Sequence, residues 1–452
     1  MTKEKKSVDK ELDQFEKDQI FNPLLATLRE NDKNNMFKSN AITAYHKTGF
    51  TLFDHYFGTV ANIHNDKGEL IKQERRIGQS YGTYNLIVGL SGSGKTTIAV
   101  QIGANIIRQY PYSNIVHFDC ENRFDLSRAE NITALPPEYF KNNRYVIKNG
   151  MIGLDGIQET IAKLWQQKMG IKDQLTIKMP YTDEFGKDIM ILQPSVIIID
   201  SITTVLNETY SSDSVKEVSK AGELRSNTDG ARDAKSLKGF FKDTLPMCKE
   251  ANIIVYLVNH INNNMSMNAF IPVAKQQNFL KQDESIPGGR TMIFYPQNIA
   301  KLIAKPSDNF TTETDGFNGH IVMVEPIKSS SNQSGNNSKG ISFELVFNYQ
   351  KGFDNIRSLI WYGKENGFID GNKNRMKFKD AGWTDNWWKD YESLNAEEKV
   401  IANEVIHSNK FDNIDKYKKM PNVYKVLKYY TITKDFDPKI LKQSKFKEEI
   451  LI

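Results

Sequence analysis

The feature that most constrains this chain is the run Gly89-Leu90-Ser91-Gly92-Ser93-Gly94-Lys95-Thr96, which fits the pattern GxxxxGK[S/T]. It closes the apolar stretch NLIVG and opens the helical stretch TTIAVQIGANIIRQ, so strand, loop and helix occur in the order that a phosphate cradle needs. Glycines let successive backbone N–H groups curl around a phosphate, and the helix N-terminus adds a favourable field. Lys95 then spans the β- and γ-phosphates, the Thr96 hydroxyl ligates Mg²⁺, and Thr97 completes the expected ATP-binding run. A nucleoside triphosphate with Mg²⁺ is the expected ligand, and a chain that holds it needs an α/β sheet behind the loop.

Two further acids fit that expectation. Asp200 closes Ser195-Val196-Ile197-Ile198-Ile199-Asp200, where a buried parallel strand delivers a carboxylate beside the phosphates. It belongs to the Mg²⁺ shell, directly or through water, with Ser201 as a weaker partner. In Phe118-Asp119-Cys120-Glu121, after the strand that follows the phosphate-loop helix, Glu121 is the candidate general base that polarises an attacking water. Asp119 is the rival within that motif.

Around these residues, short apolar runs at 85–88, 115–118, 196–199 and 253–258 alternate with helical stretches at 96–109, 156–168 and 231–249. That alternation predicts a mainly parallel sheet covered by helices over residues 46–354. Two hairpin insertions are expected at 62–76 and 175–192, and KSSSNQSGNNSK at 328–339 reads as a flexible loop. Residues 1–45 carry spaced apolar positions among charges and read as helices outside the core, either an arm passed to a neighbour or an intramolecular extension. From residue 355 the composition shifts to Lys, Asn and aromatics, marking a smaller domain at 355–452. There Trp383, Trp387 and Trp388 lie among Lys373, Arg375, Lys377, Lys379 and Lys389, which suits either an accessory duplex-binding surface or an aromatic core.

Charge narrows the partners. The formal net charge is only +5, so any nucleic-acid site must be local rather than the whole surface. Two cysteines, Cys120 and Cys248, suit neither a disulfide framework nor a zinc site. The charged start and the lack of a long apolar run lead us to expect a cytoplasmic protein with no membrane segment.

Taken in order, LIVGLSGSGKTT, HFDCENRFD, VIIIDSITTV, IIVYLVNH and PGGRTMIFYPQNIAKLI resemble the RecA family, and within it the phage UvsX-type recombinases. The resemblance covers roughly residues 45–350, with a looser likeness in GKENGFID and the Trp-rich stretch. It implies a RecA-like P-loop NTPase core with an N-terminal helical arm for oligomerisation and a small C-terminal accessory domain. It also implies ATP and Mg²⁺ as cofactors, ATP hydrolysis, and a helical filament on single-stranded DNA that exchanges strands with double-stranded DNA in recombination, repair or recombination-dependent replication. A single-strand-binding protein and a loading mediator would be its partners.

Residue by residue, the resemblance supports Glu121 as the water-activating acid and puts Asp125 near the adenine. Arg128 stands at the place of the adenine-stacking aromatic, where a guanidinium can stack instead. His260 matches the γ-phosphate sensor that passes a signal to a DNA loop, and Lys328 matches one of the lysines that act across the filament interface, with Pro326 near the other. Two long polar segments, 207–232 and 261–289, correspond to the DNA loops. Lys216, Lys220, Arg225 and Arg232 are candidate phosphate contacts in the first. In the second, Phe270 and Phe279 are candidates to stack on bases and Lys275, Lys281 and Arg290 to meet phosphates, with the glycine pair Gly288-Gly289 following. The alternative is a hexameric RecA-core helicase of the DnaB type, which normally carries its extra domain before the core. A paralogue that only binds nucleotide is disfavoured by the presence of Lys95, Thr96, Glu121 and Asp200 together.

Overall fold

Strands buried on both faces need apolar side chains at every position, and the runs picked out by sequence form the middle of one large sheet. The computed structural model describes residues 44–65, 70–150, 152–184, 186–205, 229–263, 279–281, 284–305, 318–329, 342–365, 369–370, 376–378, 383–385, 393–408 and 414–427. The chain divides into units 1–43 and 44–452, and all described residues belong to the second. The proposed arm, 1–45, therefore lies outside them except for its last two residues, of which Tyr45 pairs in a short strand with Ser80.

The fold is mixed α/β around a nine-stranded, mostly parallel sheet. In chain order its strands are β1 Tyr84–Gly89, β2 Asn114–Asp119, β3 Tyr145–Asn149, β4 Ser195–Asp200, β5 Ile253–His260, β6 Asn298–Lys305, β7 Gly319–Ser329, β8 Phe343–Asn348 and β9 Gly352–Asp354. Across the sheet they run β9-β8-β7-β6-β1-β5-β4-β2-β3. The pairs from β6 through β1, β5, β4 and β2 to β3 are parallel, and β7, β8 and β9 add an antiparallel meander.

The strand period of two sorts side chains into two cores. Ile87, Val196, Ile198, Ile254, Tyr256 and Val258 face one side, packed with helix α1 (Lys95–Arg108) through Ile98, Ile102 and Ile106. Leu86, Val88, Ile197, Ile199, Val255 and Leu257 face the other, against α3 (Leu154–Gly170) and α4 (Asp229–Ala251) through Ile157, Ile161, Leu237 and Phe241. Between them, α2 (Leu126–Thr133) follows β2. The sheet is thus closed on both faces, and the carboxyl ends of its parallel strands remain to carry chemistry.

Both expected hairpins form, as Thr59–His64 with Leu70–Arg76 and Thr176–Thr182 with Asp188–Leu192. They also meet: the His64 N–H donates to the Glu184 carbonyl at 2.8 Å, and the Arg76 guanidinium lies 4.7 Å over the Tyr181 ring. Helix α5 (Asn355–Glu365) leaves β9 directly, and Ser358 accepts from Val346 N–H at 2.8 Å. A small apolar cluster of Ile356, Leu394, Ala402, Val405, Val423 and Leu427 follows it. Trp387 and Trp388 lie outside the described residues, as do Lys373, Arg375, Lys379 and Lys389; Trp383 and Lys377 are described only as backbone in short strands. Among the described residues no helix is long and apolar enough to cross a membrane.

Candidate active site

Strand β1 ends at Gly89, and the chain then turns through Leu90, Ser91, Gly92 and Ser93 into α1. Gly92 and Gly94 have φ of +78° and +84°, the left-handed region that lets consecutive N–H groups face one hollow. At Gly94 a side chain is excluded for a second reason, because a Cβ there would sit 2.7 Å from the Phe353 ring. Ser93 Oγ donates to the Leu90 carbonyl at 2.9 Å, and Lys95 Nζ donates to the same oxygen at 2.7 Å. Ser91 is exposed and Thr97 is buried. Burial lowers the Lys95 ammonium to about 8, against the opposing pull of the Asp200 and Glu121 carboxylates. A cation held this dry gains strongly from a phosphate partner.

The register sets the acids around that loop. Asp200 pairs with Asp119 on one side and Val258 on the other, while His260 pairs with Gly89, so β5 lodges between the phosphate-loop strand and the acid-bearing strand. Thr96 Oγ1 donates to Asp200 Oδ2 at 2.5 Å. Burial raises the Asp200 carboxyl to about 6; the Thr96 hydrogen bond and Lys95 work against that, and the Glu121 and Asp119 charges add to it. The Asp200–Ser201 peptide bond is cis. A dry carboxylate touching a hydroxyl at the mouth of a phosphate loop fits a divalent cation. Among the described residues no three metal-binding side chains gather.

Glu121 lies just beyond β2, with Oε1 3.0 Å from His260 Nε2 and Oε2 3.3 Å from Arg123 Nη1. Burial opposes its ionisation, but hydrogen bonds from His260 and Ser201, with the charges of His260 and Arg123, hold the carboxyl below its ordinary value. Its rival Asp119 is otherwise employed: it is buried, and Oδ2 accepts the Phe124 N–H at 2.8 Å, folding the 120–124 turn. Of the two, Glu121 is the more exposed acid, its side chain 21% exposed where Asp119 is buried.

Asp125 caps α2, its Oδ1 accepting the Arg128 N–H at 2.7 Å. Both residues line a cavity of about 1050 Å³, together with Gln101 of α1, residues 348–353 between β8 and β9, and Ala396 and Lys399. Gln101 builds this cavity. It accepts the Phe353 N–H at 2.8 Å and donates to the Ile132 and Lys351 carbonyls, joining α1, α2 and the β8–β9 turn. Gly352, at φ +79°, leaves room for that side chain, since a Cβ would stand 2.7 Å from the Gln101 amide oxygen. Phe353 touches both this cavity and the space beside Gly94, so cavity and phosphate loop adjoin. The half-exposed Tyr349 ring on the cavity wall was missed by sequence.

Asn259 was also missed as a functional residue. Fully buried, it accepts from Thr203 Oγ1 and from His260 N–H, each at 2.9 Å, and donates Nδ2 to the Pro287 carbonyl at 3.0 Å. One side chain thus joins the helix turn before segment 207–232, the β5 end, and the close of segment 261–289. A second tie holds that close. Lys301 Nζ on β6 lies 3.3 Å from Glu284 Oε2 and donates to the Phe279 carbonyl at 3.0 Å, with both side chains nearly buried.

Several candidates stand elsewhere than sequence suggested. Phe279 packs against the core beside α4 instead of standing free to stack on a base, because its chain is pinned by Lys301. Arg232 lies within the first turn of α4, which begins at Asp229, so the first segment is shorter than 207–232. Lys328 donates to the Ile293 and Phe294 carbonyls at 3.1 and 2.8 Å, capping the short helix Thr291–Phe294 within its own chain. Lys281 and Arg290 are exposed, and Gly288 and Gly289 turn the chain with φ of +79° and +59°. Lys216, Lys220, Arg225, Phe270 and Lys275 lie outside the described residues. Neither a scan against models of known families nor a search of curated proteins gives a match for this chain.

Proposed function

We propose that this chain is a DNA-dependent ATPase of the RecA type, which assembles as a helical filament on single-stranded DNA and exchanges strands with a homologous duplex. The observation that carries the reading is the joining of two things at the same strand ends. Lys95, Thr96, Asp200, Glu121 and His260 converge around the phosphate loop, and Asn259 beside His260 holds the roots of both long polar segments.

The chemistry follows from those contacts. The P-loop amides and Lys95 bind and orient the β- and γ-phosphates, and Thr96 with Asp200 would hold Mg²⁺, which supplies charge neutralisation of the phosphate oxygens when bound. Glu121, kept ionised by its hydrogen bonds, accepts a proton from the attacking water. The purine enters the adjoining cavity, between the Arg128 guanidinium and the Tyr349 ring, both of which are π-stacking groups. A change in the His260–Glu121 contact on hydrolysis moves the Asn259 hub, and with it the segments that grip DNA. Because β5 sits between β1 and β4, its end touches both the phosphate loop and the acids, and that position supports a sensing role for His260.

The test is an ATP-dependent exchange reaction between a labelled single strand and a duplex. Product from homologous but not heterologous duplex is expected. Displacement of any duplex regardless of homology would point to the DnaB-type helicase, and no product with intact ATP binding would refute exchange.

A further inference from the structure

The exposed guanidinium beside the general base has no role in the scheme above. Arg123 sits in a turn whose backbone is fixed at several points. Asp119 accepts the Phe124 N–H at 2.8 Å, Asn122 adopts φ +54°, and its Oδ1 accepts the Gly150 N–H at 3.0 Å. The Arg123 side chain, in contrast, is 80% exposed, against 21% for the Glu121 side chain that it meets at 3.3 Å. Backbone position is therefore set while the guanidinium is free to turn.

The contact has a consequence for Glu121. Its Oε1 meets His260 and its Oε2 meets Arg123, so each oxygen already carries a partner that lowers its basicity toward a water. A general base needs one oxygen turned to the water. His260 is bound to the Asn259 hub by its own N–H and is the fixed partner; Arg123 is the movable one. An exposed ion pair of this kind adds little and is given up readily. A terminal phosphate held by Lys95 offers more negative charge and a better bidentate fit to a guanidinium. That phosphate would be close at hand, since His260, which meets Glu121 at 3.0 Å, pairs with Gly89 at the start of the phosphate loop.

We propose that Arg123 is a γ-phosphate ligand in cis, which clamps Glu121 before ATP binds and releases it by transferring its guanidinium to the terminal phosphate. Binding of the right nucleotide then frees the base and adds a positive charge where charge develops in the transition state. A diphosphate has no γ-phosphate to draw Arg123 away, so the clamp stays closed after hydrolysis. The inference rests on the ATPase reading.

Equilibrium binding of a fluorescent non-hydrolysable ATP analogue and of fluorescent ADP to the full chain tests it, with Arg123→Ala and Arg123→Lys beside the wild type. Arg123→Ala is expected to lose about tenfold or more in affinity for the triphosphate, the size of one charge-assisted contact, with ADP affinity unchanged. Arg123→Lys restores part of the loss. The same drop is expected in a Glu121→Gln background, because it arises at the phosphate and not through the carboxylate. Equal losses for both nucleotides, no loss for either, or disappearance of the effect in Glu121→Gln would each overturn the role of Arg123 while leaving the ATPase reading intact. Failure of the wild type to bind either nucleotide would instead overturn that reading, and this inference with it.

Discussion

Asp200→Asn is expected to make the nucleotide-free protein more stable while removing its response to Mg²⁺ and ATP. The carboxyl is raised from 3.8 to about 6, with burial the largest cause. A rise of about 2 pH units corresponds to about 3 kcal/mol at 1.36 kcal/mol per unit, the order of the cost of keeping Asp200 ionised in its site. Asparagine keeps the shape and still accepts the Thr96 hydroxyl, but carries no charge to desolvate. The folded state holds the Asp200 proton more tightly than the unfolded chain, so the stabilising contribution of the neutral acid is complete below about 3.8 and is lost as pH rises through about 6. The variant has no such loss. The gap between the two should therefore be near zero at pH 4, open through pH 6, and level off at roughly 2–3 kcal/mol by pH 8. Unfolding entropy of about 0.6 kcal/mol per kelvin for a core of about 300 residues makes this a Tm difference of roughly 3–5 °C. Thermal melts at pH 4, 6 and 8 read it directly. With Mg²⁺ and ATP the gap closes, since ligand at about 100 times Kd adds roughly 2.7 kcal/mol to the wild type and little to the variant, and at about 1,000 times Kd, where the gain is roughly 4.1 kcal/mol, the order reverses. A variant no more stable than wild type at pH 8, or a gap that does not change with pH, would refute the reasoning.

Other outcomes follow from the same site. Glu121→Gln should retain nucleotide and DNA binding while turnover falls by on the order of 10²-fold or more, read in a steady-state phosphate-release assay. Undiminished hydrolysis would remove Glu121 as the base. Asn259→Ala leaves the part-buried Pro287 carbonyl without its donor and removes the acceptor of Thr203 and of the His260 N–H, so a loss of roughly 1–3 kcal/mol in denaturant melts is expected. The protein should still bind ATP, but single-stranded DNA should no longer stimulate its hydrolysis; normal stimulation would break the link drawn through Asn259. Lys275→Ala combined with Lys281→Ala should weaken DNA binding and lower the slope of log affinity against log salt by about 1–2, measured by fluorescence anisotropy. An unchanged slope would take the second segment out of the DNA site.

The phosphate loop, Asp200 and the four central strands were legible because their constraints are local. Eight consecutive residues carry the cradle, and a strand buried on both faces has to be apolar throughout. The edge strand β3 was not legible, since its apolar run is only three residues long, Tyr145-Val146-Ile147, and its last two residues are exposed. Gln101 and Asn259 could not be found by pattern, because their work depends on partners far along the chain: Gln101 reaches Phe353 across 252 positions, and Asn259 reaches Thr203 across 56. Phe279 misled for a related reason. An aromatic residue in a polar segment looks available to a ligand until a distant lysine, here Lys301, ties that point of the chain to the core. The turn also separates Asp119 from Glu121 in a way no pattern shows: the Asp119 carboxylate is tied to the backbone N–H of Phe124, while Glu121 stands beyond the turn with side-chain partners.

Electron microscopy of the purified chain with single-stranded DNA, Mg²⁺ and a slowly hydrolysed ATP analogue tests the central claim most directly. Open, continuous helical filaments coating the DNA are the predicted result. Closed rings threaded by the strand, or bare DNA under conditions where nucleotide is bound, would contradict it.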